Sequence, residues 1–76
     1  MVTVFLKMLY ELNSSNLHAM DYEPWSHTLT IAFHNGSVYE YYHVPGHIFK
    51  GLLEADSPGR FHHENIKNNY SYQRIL

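Results

Sequence analysis

The sequence predicts an α+β fold in which a three-stranded antiparallel β-meander, residues 17–44, packs against two short helices between residues 46 and 67. Three observations predict this fold. Polar and apolar residues alternate from residue 28 to 33, which is the period of a half-buried strand. Asn35-Gly36 follows, and this dipeptide is the strongest short-range hairpin signal. The apolar residues after the predicted sheet return at the spacing of a helix face.

An apolar segment at residues 1–13 precedes the predicted domain at 14–76. Its apolar side chains recur at helical spacing, so residues 2–12 are predicted to be helical, although the opening Val-Thr-Val-Phe also suits a strand. An apolar face must be buried, either against the domain's own sheet or against a second copy. We predict a two-fold homodimer, since identical patches pair most readily in that symmetry. The predicted self-association residues are Val2, Phe5, Leu6, Leu9 and Leu12.

The first and third strands are assigned from shorter patterns than the second. At residues 17–22, the odd-numbered side chains are predicted to face one side of the sheet and the even-numbered ones the other. Asn35-Gly36 is predicted to form a type I′ turn, which needs positive φ at both central positions. The third strand then returns from residue 37 to 44, and a tail at 70–76 alternates only weakly.

Two short helices are predicted after the sheet. The first covers residues 46–55, and the second begins at Ser57-Pro58, a capping residue followed by a proline at the first helical position. The second helix is predicted to run to about Lys67. A chain of 76 residues has room for one core. The predicted core residues are Leu29, Ile31, Phe33, Phe49, Leu52 and Ile66.

Composition limits the kinds of site that the chain can hold. There is no cysteine, which excludes disulfides and thiolate zinc sites. Seven tyrosines dominate an aromatic content of 16%, so large rings must supply much of the core. The N-terminus shows neither a basic region nor a cleavage site, and no apolar run approaches the ~18 residues of a membrane span. We therefore expect a cytoplasmic protein without a membrane partner.

The charge balance at neutral pH argues against strong binding of RNA or DNA. Five basic residues stand against seven acidic ones, a net charge of −2 with neutral histidines, whereas phosphate binding normally needs a basic stripe. The second half of the chain is slightly basic and is the only candidate phosphate-facing surface, although solvated helix faces explain the same charges. Its basic residues are Lys50, Arg60, Lys67 and Arg74.

No catalytic or metal site is predicted. His43 and His47 flank Pro45 and need not converge, and His62-His63-Glu64 matches no metal-ligand signature. The serines lie in turn and capping contexts, where the hydroxyl serves the backbone. The sequence therefore predicts neither enzyme activity nor a cofactor.

A set of residues between positions 14 and 72 occurs in a recognisable order. The set is Ser14-Ser15-Asn16-Leu17, Tyr22, Leu29-Thr30-Ile31-Ala32-Phe33, Gly36, Tyr39-Glu40-Tyr41, Val44-Pro45, Ala55, Ser57-x-Gly59, Ile66 and Tyr70. In order and spacing these residues resemble the KTSC domain, a short module found alone in bacterial and phage proteins and at the C-terminus of some lysyl-tRNA synthetases.

The resemblance implies a small binding module of a family whose function is largely unassigned. RNA is the ligand suggested by the place of the domain on a tRNA synthetase. After Gly59-Arg60, family members usually carry an aromatic pair, an asparagine and a basic residue, whereas this chain has Phe61-His62-His63-Glu64. An acidic side chain thus replaces a basic one.

Aromatic and basic residues are the candidate binding groups. Tyr39 and Tyr41 are predicted to share one strand face, where they either stack single-stranded bases or join the core. The predicted function is non-catalytic binding of RNA, and the alternative is a module that binds a host or partner protein. The candidate residues for either partner are Tyr39, Tyr41, Ser57, Gly59, Arg60, Lys67, Tyr70, Tyr72 and Arg74.

Overall fold

The computed structural model describes residues 10–76. This part of the chain forms two helices and one antiparallel sheet of five strands, which lie side by side in chain order. The elements are β1 (Tyr10–Glu11), β2 (Leu17–Glu23), β3 (Thr28–Phe33), β4 (Val38–Tyr41), α1 (Gly46–Glu54), α2 (Pro58–Asn65) and β5 (Tyr72–Arg74). The predicted α+β class and the central meander are confirmed, but the prediction of three strands is wrong.

The two strands that the prediction missed lie at the edges of the sheet. β1 has two residues and β5 has three, so both are too short for side-chain alternation to show. β1 places Tyr10 opposite Met20, so the described end of the predicted N-terminal helix is extended instead. Residues 1–9, with four of the five predicted self-association residues, lie outside the described part of the chain. β5 returns beside β4 and places Tyr72 opposite Tyr41.

A β-bulge corrects the predicted faces of β2. Leu17 pairs with Phe33, but the register shifts before the next pair, so His18 is the extra residue of β2. Met20 and Leu17 are both fully buried in the core, although strict alternation puts them on opposite faces. The predicted alternation is therefore wrong after His18, because a bulge reverses the face of every later side chain.

The β3–β4 hairpin closes with a different turn from the predicted one. Gly36 has φ of +91°, whereas Asn35 is not among the described residues with positive φ, which excludes type I′. The N–H of Gly36 donates to the C=O of Phe33 at 3.0 Å. The Asn35 side chain closes the turn, because its Oδ1 accepts from the N–H of Ser37 at 2.9 Å and from its hydroxyl at 2.6 Å. These two hydrogen bonds fix the position of the Asn35 side-chain amide.

The helices begin and pack as their local sequence requires. Ser57 caps α2, since its Oγ accepts the N–H of Arg60 at 3.4 Å, and Pro58 occupies the first turn. The close approach of α1 and α2 depends on Gly51, because a Cβ there would lie 2.5 Å from Cζ of Phe61.

The core lies between one face of the sheet and the two helices. Four of the six predicted core residues are fully buried, and Phe33 and Phe49 are half-buried against them. The buried residues of the cluster are Leu12, Leu17, Met20, Leu29, Ile31, Tyr41, Val44, Leu52 and Ile66. Tyr41 thus joins the core, one of the two alternatives for the strand tyrosines.

Leu12 also belongs to this core, which corrects its assignment to a self-association surface. Its side chain is 9% exposed and packs in the core of its own domain. Its N–H donates to the C=O of His18 at 3.0 Å, next to the bulge. Leu12 is therefore not available to a second copy in this structure.

The substitution Leu12→Ala distinguishes these two roles. In the core it should lower the free energy of unfolding by about 2–4 kcal/mol, through lost burial and a cavity. The matched control is Leu53→Ala on α1, where the side chain is 41% exposed, and this change should cost well under half as much. Urea unfolding of the two variants measures the difference, and equal losses would contradict the core assignment.

Candidate functional site

A pocket of about 300 Å³ opens between α2, the β3–β4 hairpin and β5. Its lining residues fall into three groups with different chemistry. Aromatic rings form the wall on the sheet, side-chain amides and a hydroxyl lie at the hairpin, and histidines and a lysine come from α2 and the turn that follows it. Each group is positioned by a separate feature of the fold.

The aromatic wall consists of tyrosines brought together by strand register. Tyr39 and Tyr41 alternate onto the same face of β4, and β5 places Tyr72 opposite Tyr41. The ring centroid of Tyr72 lies 5.8 Å from the centroids of both Tyr39 and Tyr41. Because the Tyr72 side chain is 57% exposed, the wall ends in a ring that presents a face to solvent.

A buried hydrogen bond fixes the base of the pocket. The hydroxyl of Tyr41 lies 2.9 Å from Nε2 of His62, and the two residues are 4% and 6% exposed. The ring of Phe33 packs against the same imidazole at an interplanar angle of 71°, with ring centroids 5.4 Å apart. The pair connects β4 to α2. Within residues 10–76, every buried side-chain nitrogen or oxygen has a hydrogen-bond partner.

Burial keeps both members of this pair uncharged at neutral pH. It lowers the pKa of His62 to about 4, and the electrostatic influence of Lys67 and His63 acts in the same direction. Burial likewise raises the pKa of Tyr41 to about 12, with the neighbouring hydroxyls of Tyr39 and Tyr72 contributing. The bond is therefore one between a neutral phenol and a neutral imidazole, which is less costly to bury than an ion pair.

The α2 side of the pocket carries its positive charge. Lys67 is held where α2 ends, since its N–H donates to the C=O of His62 at 2.9 Å. His63 lies beside it on the pocket lining. None of the lining residues carries a carboxylate, although the chain has seven acidic residues. The pocket is thus suited to an anion despite the net charge of −2.

Side-chain amides form the hairpin side of the pocket. Asn35 and Ser37 come from the turn, and Asn16 from the connection between β1 and β2. Ser14 holds that connection, because its Oγ accepts the N–H groups of Asn16 and Leu17, each at 3.2 Å. These groups add hydrogen-bonding capacity to the aromatic wall.

The structure gathers only some of the predicted binding residues. Those that line the pocket are Tyr39, Tyr41, Gly59, Lys67 and Tyr72. Ser57 serves as the cap of α2, and Tyr70 is half-buried against the core. Arg60 forms an exposed ion pair with Glu64, 3.3 Å from Nε to Oε2. Arg74 donates from Nε to the C=O of Leu76 at 2.9 Å. Four of the predicted residues therefore lie outside the pocket.

Among the lining residues that the sequence prediction did not include, His62 is the one that bonds to Tyr41. Pro58, His62 and Ile66 are four residues apart, and all three are buried. This spacing is one face of a helix and is visible in the sequence. It predicts a buried histidine rather than a surface one, but the identity of its partner on β4 depends on tertiary packing.

Residues 10–76 contain no group of three His, Asp or Glu side chains arranged to hold a metal ion. Within the same residues, no helix is long and apolar enough to cross a membrane.

Comparison with known proteins assigns the chain to a family. The model of the KTSC domain matches residues 13–70. The chain belongs to the KTSC domain family. The crystal structure of a KTSC domain protein from Yersinia pestis superimposes with a TM-score of 0.82 at 30% sequence identity, covering 87% of this chain and 93% of that one. The predicted resemblance is confirmed.

Relatives of this KTSC domain include both short proteins and parts of large ones. An uncharacterized protein of Stutzerimonas stutzeri is 40% identical over 65 residues, 84% of this chain and 92% of that protein. A lysine–tRNA ligase of Nostoc sp. is 37% identical over 67 residues. This chain spans only 12% of the length of that ligase.

The buried His62 should make the folded protein less stable in acid. Because the pKa of His62 is about 4 in the folded protein and 6.5 ordinarily, the unfolded chain binds a proton first as the pH falls. Stability from this group is complete above pH 6.5 and is lost towards pH 4, about 3 kcal/mol in all. His62→Gln, which can still bond the Tyr41 hydroxyl, should flatten this dependence in unfolding experiments between pH 7 and 4.

The matched control is His63→Gln, since His63 is the exposed neighbour of His62. It should keep most of the pH dependence of the unsubstituted protein, because burial is the largest cause of the lowered pKa of His62 and His63 is the smallest. If both variants keep it, His62 does not carry the effect.

Proposed function

We propose that this KTSC domain is a non-catalytic module that binds single-stranded RNA in the pocket between α2, the hairpin and β5. The observation that carries the proposal is the combination of the exposed Tyr72 ring with Lys67 on a lining free of carboxylates. Flat aromatic rings beside a cation are the features with which proteins hold unpaired bases and their phosphates. The same proposal keeps the predicted cytoplasmic location, where RNA is accessible.

Stacking supplies the sequence-tolerant part of this binding. Tyr72 packs against Tyr39 and Tyr41 with the rings tilted by 49° and 40°, and these contacts limit the motion of its ring before a base stacks on the exposed part. Each base stacked on an aromatic side chain contributes about 1–3 kcal/mol. Because any base has a π-face, this contact alone selects no sequence.

Electrostatics should be a modest part of the affinity. Lys67 is the one residue of the pocket lining with a permanent positive charge. Arg60 lies outside the pocket and is engaged by Glu64, the acidic residue that departs from the family pattern. With one or two phosphates neutralised, a plot of the logarithm of the association constant against the logarithm of the salt concentration should have a slope of about −0.7 to −1.4.

The relatives support an RNA ligand. Lysine–tRNA ligases of Nostoc sp. and Trichormus variabilis contain segments 37% and 41% identical to this chain. A domain carried within a tRNA ligase is placed where RNA is bound, and we extend that context to this chain as part of the proposal. The short relatives show that the same domain also occurs largely on its own.

Paired substitutions test RNA binding at the pocket. With a fluorescein-labelled single-stranded RNA, Lys67→Ala should weaken binding and reduce the salt slope by about 0.7, whereas Lys50→Ala on α1 should change neither. Tyr72→Ala should cost about 1–3 kcal/mol of binding free energy, and Tyr72→Phe should retain most of it. Fluorescence anisotropy across a salt series measures all four variants.

Two results would reject the proposal. One is the absence of RNA binding by the full chain, and the other is equal binding by Lys67→Ala and Lys50→Ala.

A protein partner is the second candidate, and a different surface favours it. Trp25 is 95% exposed in the turn between β2 and β3, at the end of the sheet opposite the hairpin. Exposed tryptophan is enriched at the centres of protein interfaces. Trp25→Ala should leave RNA binding unchanged, so it also serves as a control for the pocket variants.

Self-association remains a separate proposal. Since Leu12 is buried in its own domain, the predicted self-association residues that remain are Val2, Phe5, Leu6 and Leu9. Sedimentation of the full chain should then show a dimer, and a chain beginning at Tyr10 should be a folded monomer. A monomeric full chain would contradict this.

A further inference from the structure

The pocket has two ends of different chemistry. Ser37 immediately precedes β4 and Tyr41 ends it, so four residues of extended chain, about 13 Å, separate the hairpin from the site of Tyr72. α2 contacts β4 where His62 bonds the Tyr41 hydroxyl. Near its start, a Cβ at Gly59 would lie 3.4 Å from Oγ of Ser14, next to the hairpin. Lys67 follows its other end, so the cation and the amides lie apart.

At the hairpin end, the hydrogen bonds within the protein determine which polar groups remain free to bond a ligand. The Oδ1 of Asn35 already accepts two hydrogen bonds from Ser37, at 2.9 and 2.6 Å. The amide NH₂ of Asn35 is therefore the group left to donate, beside a serine oxygen that can still accept. Asn16 is held nearby, since its C=O accepts the N–H of His34 at 2.9 Å.

A paired donor and acceptor held at one end of an aromatic cleft complement the edge of a nucleobase. Base edges present adjacent acceptors and donors, and side-chain amides are among the groups that read them. Lys67, which follows the far end of α2, complements a phosphate. The volume of about 300 Å³ lies at the lower limit of small-ligand pockets and is too small for a duplex.

We infer that the pocket holds a single nucleotide and selects its base, with the base edge at Asn35 and Asn16 and the phosphate at Lys67. This inference rests on the proposed function. It adds that the RNA makes two kinds of base contact, one by stacking and one by hydrogen bonding. The neighbouring base stacks on Tyr72 regardless of its identity, whereas the base inside the pocket is chosen by hydrogen bonding. RNA sequences should therefore differ in affinity at one position.

The four nucleoside 5′-monophosphates and ribose 5-phosphate, titrated into the full chain and followed by ¹H–¹⁵N NMR, test this inference. At least one nucleotide should bind about fivefold or more tightly than both ribose 5-phosphate and the weakest nucleotide, the effect of one hydrogen bond. Asn35→Asp keeps the acceptor for Ser37 but replaces the NH₂ donor by a charged oxygen. The Asn35→Asp variant should lose that preference. In the unsubstituted protein, the resonances that shift on nucleotide binding should belong to the hairpin and the end of α2.

The matched control is Gln73→Glu, which adds the same charge on the opposite face of the sheet, where residue 73 pairs with Glu40. It should bind the preferred nucleotide within twofold of the unsubstituted protein. If Asn35→Asp does not fold, Asn16→Asp replaces it with the same expectation.

Equal affinities for all four nucleotides and ribose 5-phosphate would overturn the inference, as would an unchanged preference in the aspartate variant. RNA binding that still depends on Lys67 and Tyr72 would then leave the proposed function in place. If neither RNA nor any nucleotide binds, both fail together.

Discussion

The hydrogen bond between Tyr41 and His62 is the contact on which the rest of the structure depends. It is the buried polar link between β4 and α2, and its two residues sit beneath both the aromatic wall and the cationic side of the pocket. The rest of the core is packed from apolar side chains, which can slide past one another. The hydrogen-bonded pair therefore specifies the position of α2 on the sheet. The pair can do so only while both groups are neutral, which burial ensures.

The three chemistries of the pocket are independent consequences of separate local features. Strand register gathers the tyrosines, the turn at Gly36 and the Ser14 bonds hold the amides, and the end of α2 presents Lys67. No single motif carries the site, so a change in one feature alters one kind of contact and leaves the others. This separability makes it possible to test stacking, charge and base selection with different substitutions.

The family assignment and the site overlap closely but not completely. The KTSC match covers residues 13–70, which hold the amides, the histidines and Lys67, while Tyr72 and the rest of β5 lie just beyond it. The short relatives and the tRNA ligases thus share the segment that forms most of the pocket. Glu64 pairs with Arg60 outside the pocket, and Lys67 is the residue of the lining with a permanent positive charge.

The sequence by itself determined the α+β class, the central hairpin, both helices and four fully buried core residues, because these depend on local periodicity, capping and turn chemistry. Only the tertiary structure decided the bulge at His18, the edge strands and the burial of Leu12. A bulge leaves no trace in residue type, and strands of two or three residues are too short for a period to register. The same distinction holds for the pocket. Its residues Tyr39, Tyr41, Lys67 and Tyr72 were predicted as binding residues because their side chains are aromatic or basic. His62 and Asn16 acquire their roles through partners distant in the chain, which no local pattern encodes. Asn35 bonds to the nearby Ser37, but its place on the pocket lining depends on the tertiary structure.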